Sequence, residues 1–211
     1  MEYPEEKAAR KLMVEIGRRM YERGMVAAND GNISVRLAED IFLTTPTCVS
    51  KGFLKAEELV LVDGRGRVLS GDKRPSSELK MHLRVYQENS AVGAVTHAHP
   101  PIATAFAVAG IPLDQAILTE AVVNLGVIPV AAYATPGTEE VPESIAPFCL
   151  DYHGVLLANH GALTWGEDLL QAFYRLESLE MVAKTTLLAD FLPQKRLLSA
   201  EQVQTLVKSR K

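Results

Sequence analysis

The apolar positions of the chain switch between the helical period and the strand period. Residues 5–23 put Ala9, Leu12, Met13, Ile16 and Met20 on one stripe of an amphipathic helix, and Gly24 follows as a stop signal. The stretch Val-Ala-Ala-Asn-Asp-Gly-Asn at 26–32 is rich in turn formers, and short strands are predicted at 33–36 and 41–45. Residues 59–70 have the form of a hairpin with Asp63-Gly64-Arg65-Gly66 at its turn. Pro75-Ser76-Ser77-Glu78 then opens a helix that keeps Leu79, Leu83 and Tyr86 in register. The serines are N-cap candidates, and Glu78 in the first turn suits the positive end of the helix dipole.

Further on, a buried strand is predicted over 91–99 and an alanine-rich helix over about 101–109. More strands fit 127–132, 154–159 and 162–165. A long amphipathic helix covers about 167–191, and Ser199 with Gln202 forms a capping box for a last one. Hairpin-joined strands and separate helices predict an α/β protein with an antiparallel or mixed sheet covered by helices. No glycine fingerprint for a dinucleotide is present.

Composition narrows the classes. The 211 residues are 47% hydrophobic and 23% charged, enough for one domain over 1–211 with a core of its own. With 22 basic against 26 acidic residues, the net charge of −4 gives no footprint for nucleic acid and no basic membrane-surface helix. No 18 apolar residues run together, and the opening Met-Glu-Tyr-Pro-Glu-Glu-Lys lacks the apolar stretch of a signal peptide. Cys48 and Cys149 lie far apart in no metal-like spacing and read as reduced thiols. The expectation is a cytoplasmic protein with neither nucleic acid nor membrane as partner.

Histidines carry the main chemical signal. In Thr96-His97-Ala98-His99-Pro100 two of them stand at i and i+2 of a predicted strand, so both rings leave one face. A third, His160, ends another apolar strand in Leu157-Ala158-Asn159-His160-Gly161. Three imidazoles without a fourth protein ligand match an open zinc site, and equally fit ordinary core or surface histidines. Ser76-Ser77-Glu78 at a helix start is a ready anion site, with Gly31-Asn32 and Thr47 in loops that could converge on it; plain capping and turn chemistry explains the same residues. Beside a metal ion, Glu78 could serve as general acid/base. His82 and His153 read as structural, and Trp165 and the stripe of the long helix as core or subunit interface.

Taken in order, these pieces resemble the class II aldolase/adducin family. The matching segments are Gly31-Asn32-Ile33-Ser34-Val35-Arg36, Thr45-Pro46-Thr47, Pro75-Ser76-Ser77-Glu78, His97-Ala98-His99, Tyr133-Ala134-Thr135-Pro136-Gly137-Thr138 and Asn159-His160-Gly161-Ala162-Leu163. They cover the chain from about residue 5 to 205. The resemblance implies a three-layer α/β/α fold on a largely antiparallel sheet, assembled as a homotetramer with active sites between subunits. It implies one Zn2+ per subunit on His97, His99 and His160, although three imidazoles also suit other divalent transition metals. It makes Glu78 the catalytic acid/base and gives the substrate phosphate to Gly31, Asn32, Thr47, Ser76 and Ser77.

The reaction it implies is cleavage of a ketose 1-phosphate, such as L-fuculose 1-phosphate or a 5-deoxyketose phosphate, to dihydroxyacetone phosphate and a small aldehyde. Epimerases, dehydratases and decarboxylases of phosphorylated substrates share the scaffold, as does a non-catalytic adducin-like binding domain. The family aldolases carry a tyrosine in the segment matching Ala116-Ile117-Leu118-Thr119-Glu120, where this chain has Thr119 and Glu120. Pro136 stands where a phenylalanine lines their aldehyde pocket, and the C-terminal tyrosine of the fuculose enzymes is absent from 206–211. The zinc and phosphate ends match while the aldehyde end departs. Glu120 is then a candidate second proton donor or further metal contact, or a pocket-wall charge paired with an arginine.

Overall fold

The computed structural model describes residues 2–208. Its eight strands are β1 (Asn32–Ala38), β2 (Ile41–Thr44), β3 (Val60–Val62), β4 (Val68–Ser70), β5 (Ala94–Ala98), β6 (Val130–Ala131), β7 (Gly154–Leu157) and β8 (Gly161–Gly166). They form one sheet in the order β4-β3-β2-β1-β5-β8-β7-β6, antiparallel throughout except for the β6–β7 pair. β5 lies between β1 and β8, and β5, β7 and β8 are buried at every position. Both faces of these strands are covered, which is why β7 is apolar throughout and the polar side chains of β5 and β8, Thr96, His97 and Thr164, are buried as well.

The helices are α1 (Glu6–Glu22), α2 (Leu79–Glu88), α3 (Pro101–Ala109), α4 (Thr119–Asn124), α5 (Glu140–Ile145), α6 (Leu169–Asp190) and α7 (Ala200–Lys208). Two buried clusters sit on opposite faces of the sheet. One joins Met13, Ile16 and Met20 of α1 to Phe106 of α3, Phe173 and Leu176 of α6, and Ala94 and Ala98 of β5. The other joins Leu79, Leu83 and Tyr86 of α2 to Val141 and Ile145 of α5, with Val95, Leu163 and Trp165 from the sheet. Ala94 and Val95 therefore face different cores, the two-residue period of a strand. The result is the α/β/α layering expected from the sequence.

Local signals explain most boundaries. The Glu5 carboxylate caps α1 by accepting from Ala8 N at 3.1 Å, and Gly24 takes a φ of 68° just past its end. At the β3–β4 turn Asp63 Oδ1 accepts from the amides of Arg65 and Arg67 at 3.0 and 2.8 Å. Ser199 and Gln202 exchange the two bonds of a capping box at 2.8 and 3.2 Å.

Other boundaries move. The strand expected at 127–132 shrinks to Val130–Ala131, because Pro129 has no N–H to give and Ile128 bridges to Leu113 instead. The strand expected at 91–99 is Ala94–Ala98, since Val92 closes a turn on Asn89. The short helices α4 and α5, six residues each, were not legible as periods. Both cysteines are free thiols. Among the described residues no helix is long and apolar enough to cross a membrane.

Candidate metal centre

His97 lies in β5, opposite Asn32 of β1 and Leu163 of β8. It is fully buried, and its Nδ1–H donates to the Ala162 carbonyl at 2.9 Å, which leaves the Nε2 lone pair free. His99 follows the strand end, anchored by its own amide donating to Met25 O at 2.9 Å. His160 closes the turn between β7 and β8, with its amide donating to Leu157 O at 3.0 Å. That turn uses a positive φ of 58° at Asn159, a position where such turns take Gly or Asn.

Two glycines bring these pieces together. A Cβ on Gly161 would lie 2.5 Å from Ala98 O and 2.6 Å from His99 Cδ2, so a side chain there would push His160 away from His99. A Cβ on Gly31, at φ 74°, would lie 2.8 Å from His97 O and would displace Asn32.

The three rings form a near-equilateral triangle, with centroids 5.0 Å (97–99), 4.8 Å (97–160) and 5.0 Å (99–160) apart. One ring nitrogen from each lies within 4.8 Å of the others, and the Nε2 atoms of His97 and His99 are 3.2 Å apart. Metal–nitrogen bonds of about 2.0–2.1 Å in tetrahedral geometry need nitrogens roughly 3.4 Å apart. Burial pushes the His97 pKa down to about 3 against the pull of the Glu78 charge, and burial also lowers that of His99. The neutral imidazole is the form that ligates a metal, burial favours it at His97 and His99, and one nitrogen of each of the three rings converges on a common point, so the residues fit such an ion.

Glu78 stands beside the triangle. Its Oε1 is 3.1 Å from His160 Nε2, its Oε2 is 3.4 Å from His97 Nε2, and Oε2 accepts from Asn32 Nδ2 at 2.8 Å. Burial works to raise its pKa, but His97, His160 and the Asn32 amide outweigh it and hold the carboxyl well below the usual carboxylate range. Glu78 is the residue before the first turn of α2 and not within it. Ser76 is not the helix cap either, because its hydroxyl accepts from Glu78 N at 3.3 Å in a turn ahead of the helix.

The loops at the other end are zipped by backbone bonds: Thr47 N donates to Arg74 O at 3.0 Å, and Ser76 N to Thr45 O at 3.1 Å. Between the two ends lies a cavity of about 200 Å³ lined by Gly31, Asn32, Thr47, Ser76, Ser77 and Glu78 together with His99 and His160. His97 sits behind this lining. Glu120 is elsewhere, exposed on α4, where the Thr119 hydroxyl donates to its carboxylate at 2.8 Å and lowers its pKa.

Two residues at the site escaped sequence reasoning. Asp30 Oδ2 lies 3.5 Å from His99 Nδ1, the arrangement that orients a ligating imidazole. Its sequence context, Asn29-Asp30-Gly31, reads as a turn. Lys51 lines the cavity from a sequence, Ser50-Lys51-Gly52, that looks like exposed loop.

A layered fold of this kind with a three-histidine centre and adjacent carboxylate defines a class of metal-dependent enzymes. The chain matches the model of the Class II Aldolase and Adducin N-terminal domain over residues 11–187, and it belongs to this family. It is 38% identical over 182 residues to the 3-oxo-tetronate 4-phosphate decarboxylase of Haemophilus influenzae, covering 84% of this chain and 86% of that one. It is 34% identical over 171 residues to the L-fuculose phosphate aldolase of Methanococcus maripaludis, covering 81% and 92%. The solved structure of YgbL from Escherichia coli superposes with a TM-score of 0.90 at 31% identity, over 96% of this chain and 99% of that one. With aldolases and decarboxylases as its relatives, the chain is an enzyme of the lyase type.

Proposed function

We propose that this chain is a zinc-dependent aldolase that cleaves a ketose 1-phosphate, such as L-fuculose 1-phosphate or a 5-deoxyketose phosphate, to dihydroxyacetone phosphate and a small aldehyde. One ion per subunit is held by His97, His99 and His160. The observation that carries the reading is the Glu78 carboxylate, 3.1 and 3.4 Å from two ligand nitrogens and in one cavity with Ser76, Ser77, Thr47 and Gly31.

A divalent ion at the three imidazoles supplies Lewis-acid stabilisation of the negative charge left when a bond beside a carbonyl breaks. Glu78, ionised and steadied by Asn32, takes the proton of the substrate hydroxyl and gives it back as the products form. Gly31, Asn32, Thr47, Ser76 and Ser77 grip the phosphate with amides and hydroxyls, so the reacting carbons arrive already oriented. Glu120, outside the cavity of its own protomer, is the candidate second proton donor across a subunit boundary in a homotetramer with active sites between subunits; it would pass a solvent proton to the carbon left by the broken bond where Glu78 keeps the hydroxyl proton. The whole chain acts as one domain, in the cytoplasm.

A second reading has its own support. Decarboxylation of a phosphorylated 3-oxo acid leaves the same negative charge when carbon dioxide departs, with no hydroxyl proton removed to break the bond, so Glu78 would only relay a proton from solvent to the carbon that lost the carboxylate. The 38% identity to a decarboxylase favours it, and so does the aldehyde end, where Thr119 and Pro136 replace the tyrosine and phenylalanine of the aldolases. The test is NMR product analysis of zinc-loaded protein with ketose 1-phosphates and with 3-oxo-tetronate 4-phosphate, beside a chelated control. Metal-dependent release of dihydroxyacetone phosphate is the expected result. Carbon dioxide released from the oxo acid in its place moves the assignment to the second reading, and turnover of neither overturns both.

A further inference from the structure

Lys51 has no task in the reaction described so far. It is 2% exposed, in the 3-10 turn Lys51–Phe53, and its seat depends on the tight approach of that turn to α1. A Cβ on Gly17 would lie 2.8 Å from the Lys51 carbonyl oxygen, and one on Gly52 would lie 2.5 Å from the Tyr21 ring. The ammonium donates to Val49 O at 2.5 Å and to Asn29 O at 2.9 Å. These carbonyls belong to the two loops that present Thr47 on one side and Gly31 with Asn32 on the other. Among the described residues Lys51 forms no ion pair with a carboxylate.

An uncompensated ammonium is expensive to bury, and an apolar chain of similar volume would fill the same seat at lower cost. A strap between two carbonyls needs donors, not charge. The excess charge faces a cavity whose other polar groups include the Ser76, Ser77 and Thr47 hydroxyls. Burial pushes the Lys51 pKa down to about 8, against the opposing pull of Asp30, Cys48 and Glu78. His99 and His160 share the cavity, and α1 turns Gly17 and Tyr21 toward the turn that carries Lys51.

We propose that Lys51 is the buried cation of the anion pocket, a positioning residue that straps its two loops together and recognises the doubly negative charge of the substrate phosphate. This rests on the phosphate reading above. An ammonium in a low-dielectric seat attracts an anion far more strongly than a solvated one.

The test is calorimetric titration of the zinc-loaded protein with glycerol 3-phosphate from pH 7 to 9.5, where the ligand stays dianionic. In the wild type the affinity should fall at least about tenfold as Lys51 loses its proton, since a group with a pKa of about 8 is mostly neutral at the upper limit. Lys51→Met should bind at least about tenfold more weakly at pH 7, keep its zinc and show a flat pH profile. Lys51→Gln keeps a donor for the carbonyls without the charge; it should behave as Lys51→Met does, and it serves where the methionine variant does not fold. Variants that bind as tightly as wild type, or keep the same fall with pH, overturn the role of Lys51 and leave the phosphate reading standing. A wild type that ignores glycerol 3-phosphate at every pH overturns both.

Discussion

The two ends of the site are held by different physics. At the histidine end, His97 lies in the fully buried strand β5, and His160 rides on the turn joining two buried strands, so core packing on both faces of the sheet fixes their positions. At the proposed anion end, Thr47, Ser76 and Gly31 sit in loops held by a few backbone bonds and by the Lys51 ammonium. A metal centre tolerates ligand shifts of only about 0.2 Å. A phosphate gripped by several amides and hydroxyls accepts looser support, which loops can give. On the proposed reading, geometry that must be exact within a bond length is placed on the sheet, and geometry that selects a ligand is placed on its rim.

His97→Ala separates the ends most sharply. It removes one of the three proposed ligands and leaves Ala162 O without its partner, at a stability cost of about 1–3 kcal/mol. Bound zinc, read by elemental analysis, should be lost and turnover should drop by at least ~10³. Affinity for glycerol 3-phosphate should change little. Unchanged metal content would refute the ligand assignment, while lost phosphate binding would show that the ends do not act separately. Glu78→Gln attacks the seam between them. Zinc and phosphate binding should survive, and kcat should fall by at least ~10². Full activity would take Glu78 out of the chemistry.

The same division sets how much could be read from the sequence. The histidine end was legible because His97 and His99 stand two residues apart at the end of an extended run, and His160 beside Gly161 announces a close turn, although β5 itself stops at Ala98 and His99 lies one residue past it. The layers were legible because α1, α2 and α6 keep long apolar stripes. Lys51 was not, since its burial arises from contact with Gly17, 34 positions away, and nothing in Ser-Lys-Gly foretells it. The two-residue β6 and the six-residue α4 and α5 are too short to show a period, and tertiary contacts set their limits.

Acid probes the packing under both ends. His82 of α2 is 1% exposed, and its Nδ1 and the Tyr86 hydroxyl each lie 2.8 Å from Ser34 Oγ. Burial lowers its pKa from 6.5 to about 4, only partly offset by the Glu78 charge. The unfolded chain takes up this proton first, so the contribution to stability is complete above about pH 6.5 and drains away as the pH falls toward 4. The gap amounts to about 3 kcal/mol. Melting temperatures from pH 7 to 4 should fall more steeply for wild type than for His82→Gln, in which this proton is gone and the other titrations remain. Parallel slopes would mean that His82 takes up its proton without unfolding anything.

The smallest effect compares one backbone feature at each end. Asn159, in the turn before His160, and Cys48, in the anion loop, both have a φ of 58°. Asparagine enters this left-handed region readily because its short amide can bond locally, whereas other side chains crowd the following carbonyl at roughly 1–2 kcal/mol. Glycine relieves that crowding but loses more freedom on folding. Cys48→Gly should therefore stabilise the protein by about 1 kcal/mol and raise Tm by about 2–4 °C. Asn159→Gly should move stability by about 0.5 kcal/mol or less. The thiol gives up little, since its hydrogen bond with the Thr47 hydroxyl, 3.6 Å between Sγ and Oγ1, is a weak one on an exposed side chain. A Tm that rises for Cys48→Gly and stays level for Asn159→Gly would locate residual strain in the loop end. Equal rises would show that both turns are strained alike, and no rise in either would show that strand and loop carry their residues with the same ease.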